Sequence, residues 1–170
     1  MSMRRDCCRD VVLLHGWGFS SAVWGNLKDR LGPRLRVRAI DLPGYGATPA
    51  CSPYTLDTLA DAVARAAPRR CHAVGWSLGG EVALAWARRA PRQVARVVVI
   101  SATPCFAGRP GWPCATDPSV LQEFRRSFAA KRAGTLARFL AVLVWGDARA
   151  RRIAGALQRS SDGSATDAVL

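Results

Sequence analysis

Within Gly75-Trp76-Ser77-Leu78-Gly79-Gly80 a serine stands between glycines two positions to either side. That spacing suits acyl-transfer chemistry. A serine hydroxyl becomes a usable nucleophile when a sharp strand-to-helix turn presents it and the helix start offers free N–H groups to the developing oxyanion. Glycines at 75 and 79 have no Cβ to obstruct the close chain approach that such a turn requires. A nucleophilic serine also needs a base, and the whole chain holds only two histidines, His15 and His72.

A second motif supports this reading. Val11 to Gly18, VVLLHGWG, is an apolar strand that ends in a His-Gly-x-Gly turn. In sites of this kind such a turn supplies one oxyanion N–H and the residue after the nucleophile supplies the other, here the backbones of Trp17 and Leu78. His15 precedes the nucleophile, whereas this arrangement orders its triad as serine, acid, histidine, so His15 reads as a loop organiser. His72 lies on the strand entering the turn and is expected to point sideways into a helix layer. Asp41 to Gly46, DLPGYG, adds a third glycine-rich strand end.

These motifs need elements to carry them. Strands are predicted at Val11–His15, Arg36–Asp41, Cys71–Trp76 and Val94–Ser101. Helical patterns lie at Ala22–Leu31, Leu56–Ala66 with Thr55 as N-cap, and Leu78–Arg89, which Pro91 stops. Alternation of this kind predicts an α/β fold, a mostly parallel sheet with helices on both faces. After Ser101 the rhythm changes to a proline-containing loop and three helical stretches, Pro118–Lys131, Thr135–Trp145 and Ala148–Arg159. We therefore expect an N-terminal core over 1–103, a helical lid over 104–159 above the strand ends, and a polar tail over 160–170.

Composition bounds the function. The chain of 170 residues is 49% hydrophobic and 22% charged, enough for a real core. It has no apolar run long enough to cross a membrane and no convincing leader, and its six cysteines show no metal-like spacing, which predicts a cytoplasmic protein with reduced thiols. That spacing gives no reason to expect a bound metal. Net charge is +13, and all but two of the 25 basic residues are arginines. They are dispersed, without aromatic interleaving, so a nucleic-acid partner is not expected.

HGWG, DLPGYG, GWSLGG and SATPCF followed by Trp112-Pro113, in this order, closely resemble the pimeloyl-acyl-carrier-protein methyl ester carboxylesterases of biotin synthesis, from about Val11 to about Leu157. The resemblance implies an α/β-hydrolase fold with a helical lid and a monomeric, cofactor-free serine esterase. Such an enzyme removes the methyl group masking a pimeloyl chain on its acyl-carrier protein. By position it implies Ser77 as nucleophile and Trp17 and Leu78 as oxyanion and substrate-binding residues. It likewise implies Phe139, Leu140, Ala141, Val142 and Leu143 as an acyl-pocket segment of the lid. Arg138 and Arg151 fall where the family's lid arginines meet the acidic carrier protein. Gly134 and Gly155 stand where others would be expected, with Arg132, Arg152 and Arg159 nearby.

The departure lies in the residue inventory. The family's acid and base come after later strands, and no histidine follows His72 here. Asp162 and Asp167 sit in the polar stretch SSDGSATDAV. The expectation is therefore a C-terminally truncated esterase, its last strands missing, inactive alone, with Val97–Ile100 left as an exposed apolar edge. The alternatives are a generic short-chain serine esterase and a non-catalytic binder of the carrier protein.

Overall fold

In a computed structural model of the chain, the structure describes residues 8–161. Four strands, β1 (Asp10–Leu14), β2 (Arg36–Ile40), β3 (Cys71–Trp76) and β4 (Val94–Ile100), form one sheet in the order β2-β1-β3-β4. Every pairing is parallel, with Val11 opposite both Val37 and His72, and Gly75 opposite Val99. The expected α/β architecture is thus present, and the described strands are wholly parallel.

Alternation along β1 divides the core. Val12 and Leu14 face one side, where Leu59 and Val63 of α2 (Leu56–Ala66) and Val82 and Trp86 of α3 (Leu78–Arg89) cover them. Val11 and Leu13 face the other side, against Trp24, Leu27 and Val37. Period two in the strand and period 3.6 in the helices produce these two layers. Trp24 closes a 3₁₀ turn (Ser21–Trp24) that runs into α1 (Gly25–Leu31), so the single helix expected from Ala22 is two pieces. Thr55 caps α2 as anticipated, and its hydroxyl and that of Thr58 each accept from the other residue's amide. The Gln93 side chain ties α3 to the end of α2: it accepts from the Trp86 indole at 2.9 Å and donates to the carbonyls of Ala64 and Pro68.

The far edge of the described sheet is β4. Val98 is 51% exposed, and Val99 and Ile100 are also exposed, whereas Val97, expected on this open edge with them, is half-buried and packs against the core. After β4 come α4 (Pro118–Ala130), α5 (Arg132–Leu143) and α6 (Ala150–Ser160). Only Lys131 separates α4 from α5, and the hydroxyl of buried Thr135 donates to the Ser127 carbonyl across that corner. The expected tail starts too early. Ser160 ends α6, its carbonyl accepts the Ser20 amide at 3.0 Å, and Ser161 bridges Phe19. The rest of that stretch, with Asp162 and Asp167, lies outside the described residues. No helix among the described residues is long and apolar enough to cross a membrane.

Candidate active site

Ser77 is the junction between β3 and α3, with φ +53° and ψ −122°. A non-glycine residue occupies this region only when its surroundings enforce it. The enforcing groups are visible. A Cβ on Gly75 would overlap the Gly79 carbonyl and come within 2.5 Å of the Gly80 nitrogen. One on Gly79 would overlap the Leu14 carbonyl and reach 2.6 Å from that of His15. The amide of Ser77 donates to the Ile100 carbonyl at 2.9 Å, fixing the turn to the end of β4.

The turn after β1 lies directly against this junction. A Cβ on Gly16 would stand 3.3 Å from the Ser77 Cβ, so the backbone leading into Trp17 runs beside the serine. Among the described residues, the backbone N–H groups of Trp17 and Leu78 donate to no other protein group. Leu78 is the first residue of α3, where an unsatisfied N–H and the positive helix end coincide. The structure therefore gathers Ser77, Trp17 and Leu78 at one end of the sheet.

His15 explains why that turn holds its shape. Its ring is fully buried. The Leu42 amide donates to Nε2 at 3.0 Å, so Nε2 carries no proton, and Nδ1–H donates to the Gly16 carbonyl at 2.9 Å. The ring packs edge-on against Tyr45, and Asp41 lies 4.0 Å from Nε2 while accepting the Ser21 amide at 2.6 Å. The imidazole is thus a neutral staple between the His-Gly-x-Gly and DLPGYG turns. His72 is also engaged elsewhere: Nε2 meets the Cys8 carbonyl at 3.2 Å, and Nδ1 is buried without a partner among the described residues. Its place on β3 is roughly 16 Å of extended chain before Ser77. No described side chain hydrogen-bonds the Ser77 hydroxyl. No group of three His, Cys, Asp or Glu residues that could hold a metal occurs among the described residues.

The segment Phe139–Leu143 divides. Phe139 meets Trp17 edge-on at 5.4 Å and Leu140 is buried, but Ala141, Val142 and Leu143 lie on the exposed side of α5. Five helical residues cover about one and a half turns, so they cannot all face one pocket. Two residues that sequence reasoning missed complete the contact. Phe124 and Phe128 of α4 each approach the Trp17 ring edge-on at 5.1 Å. Their i, i+4 spacing was the available signal. Arg138 and Arg151 are exposed on α5 and α6. Glu81, one turn into α3, is half-buried, and burial pushes its carboxyl above the ordinary glutamate range.

A serine at positive φ between a parallel strand and a helix, with a glycine turn packed against it, defines a class. The chain belongs to the alpha/beta hydrolase family, whose model matches residues 11–169. Among curated proteins it is 46% identical, over 87% of its length, to a pimeloyl-(acyl-carrier protein) methyl ester esterase of Aromatoleum aromaticum. It is 38% identical, over 89% of its length, to the protein of that name from Nitrosomonas europaea. The chain spans 61% and 60% of those two relatives. Among solved structures, an esterase from Exiguobacterium antarcticum superposes with a TM-score of 0.76 at 22% identity, covering 95% of this chain and 65% of the other, which is a likeness of fold.

Proposed function

We propose that this chain carries the nucleophile, oxyanion and lid portion of a carboxylesterase that hydrolyses the methyl ester of a pimeloyl group on acyl-carrier protein. The observation that carries the reading is Ser77 at φ +53° with the Gly16–Trp17 backbone against it. Two relatives at 46% and 38% identity supply the substrate. In this scheme Ser77 Oγ attacks the ester carbonyl and the N–H groups of Trp17 and Leu78 stabilise the resulting oxyanion. The C–O bond to methoxide breaks, methanol leaves, and water then cleaves the acyl-serine to free carboxylate. The segment 104–159 acts as a lid whose Phe139 and Leu140, together with Phe124 and Phe128, present an apolar wall to the acyl chain. Arg138 and Arg151 meet the acidic carrier.

Proton transfer is the part that the described residues do not hold. Loss of a triad's action leaves about 10³–10⁴-fold catalysis over water. The 170-residue polypeptide alone is accordingly a slow esterase, and binding of the acylated carrier without turnover is the second reading that the engaged histidines favour. The test is hydrolysis of a pimeloyl methyl ester by the polypeptide, alone and joined to the C-terminal portion of the Aromatoleum relative. Turnover that appears only in the joined protein and vanishes in Ser77→Ala supports the proposal. Full turnover by the short polypeptide, lost in His15→Ala or His72→Ala, would refute the roles given to the histidines.

A further inference from the structure

We propose that Ser101 is a positioning residue for the candidate oxyanion site, acting through one backbone torsion on the turn that carries Ser77 and Leu78. Its consequence for turnover rests on the esterase reading above. Among the described residues, only Ser77 and Ser101 are non-glycine residues at positive φ, at +53° and +46°. They follow the ends of neighbouring strands, where Trp76 of β3 pairs with Ile100 of β4. Strain of this kind persists only where the surroundings enforce it, and it gathers at functional sites. The enforcing contacts lie on both sides of Ser101. Before it, the Ile100 carbonyl accepts the Ser77 amide at 2.9 Å. After it, Ala102 lies against the first turn of α3. A Cβ on Gly80 would stand 2.7 Å from that of Ala102, and 3.2 Å from both the Gly75 carbonyl oxygen and Val99 Cγ1.

The φ rotation of Ser101 relates these two contacts. Turning it to a negative value either swings the peptide that carries the Ile100 carbonyl or lifts Ala102 off Gly80. The first frees the Ser77 amide, and the second leaves the start of α3 unbraced. The Gly80 amide donates to the Ser77 carbonyl at 2.8 Å, so the two contacts hold opposite ends of one turn. Leu78 lies between those ends, and a shift at either moves its N–H. An oxyanion donor is effective only when it is fixed before the charge develops. Ser101 itself is exposed, so the backbone rather than side-chain packing carries the effect.

The experiment compares Ser101→Val, Ser101→Gly and Ser101→Ala. A β-branched side chain is excluded from this φ, glycine adopts it freely, and alanine removes only the hydroxyl. Amide hydrogen exchange in the 170-residue chain should show the Ser77 N–H exchanging about tenfold faster in Ser101→Val, the scale of one lost hydrogen bond. The amides of Val12 and Leu13 in β1 should be unaffected, and the Gly and Ala variants should match the unsubstituted chain. In the protein joined to the C-terminal portion of the Aromatoleum relative, Ser101→Val should lower kcat for a pimeloyl methyl ester about 10²-fold with KM unchanged, whereas Ser101→Gly retains it. A Ser77 exchange rate indifferent to Ser101→Val would overturn the proposal, as would equal acceleration throughout β1 or a rise in KM without loss of kcat. So would a Ser101→Ala variant as impaired as Ser101→Val, since the hydroxyl would then be the acting group. A joined protein that keeps Ser101 and does not turn over would refute the esterase reading, and the exchange rates would still decide the role of Ser101.

Discussion

The amide of Leu42 donates to Nε2 of His15 over 3.0 Å, joining two glycine turns that are far apart in sequence. The same ring donates through Nδ1 to Gly16, whose backbone lies against Ser77. His15 thereby acts on the site through the shape of a loop.

Replacing His15 by Ala removes both bonds and leaves a buried amide and carbonyl unpaired beside a cavity. We expect a loss of about 2–4 kcal/mol in unfolding free energy by urea titration. An unchanged midpoint would mean that the turns hold their geometry without the staple.

Ser77 has φ +53°, a conformation that disfavours any side chain. Ser77→Gly should therefore stabilise the fold by about 1–2 kcal/mol, within the range for relief of such strain. The same variant in the joined protein should lose esterase turnover. Thermal denaturation and ester hydrolysis measured side by side read both effects, and a destabilised variant would refute the strain argument.

Glu81 has its carboxyl raised by burial. Below the unfolded value the group is protonated in both states and has no unfavourable effect. As pH rises through the folded value, the folded state must hold a half-buried charge, and stability is lost. Glu81→Gln should thus raise the urea midpoint at neutral pH, and the difference should close as pH falls below the ordinary value of 4.5. A difference independent of pH would assign the effect to something other than the charge.

Phe128 is 3% exposed, touches the Trp17 ring and receives the Arg132 guanidinium over its face at 5.0 Å. Phe128→Ala should lose about 3 kcal/mol of stability. Trypsin should then cut first at arginines within α4 and α5, ahead of sites in the sheet layers. Cleavage spread evenly over both regions would mean that this ring does not secure the helices over Trp17.

Local signals were legible because they act over a few residues. The boundaries of α2, β3 and α3, the Thr55 cap and the serine at the strand–helix junction follow from side-chain period, hydroxyl capping and the space that glycines at 75 and 79 leave. The glycine-flanked serine and the absence of a histidine after His72 were likewise present in the sequence alone. Tertiary structure decided the rest. It set the order β2-β1-β3-β4, committed both nitrogens of His15 to Leu42 and Gly16, and brought Phe124 and Phe128 onto Trp17. It also sent Val142 and Trp145 outward while Phe139 and Leu140 turned in. Each of these depends on which distant surface a helix or strand meets, and a periodic pattern specifies that a face is apolar without specifying its partner.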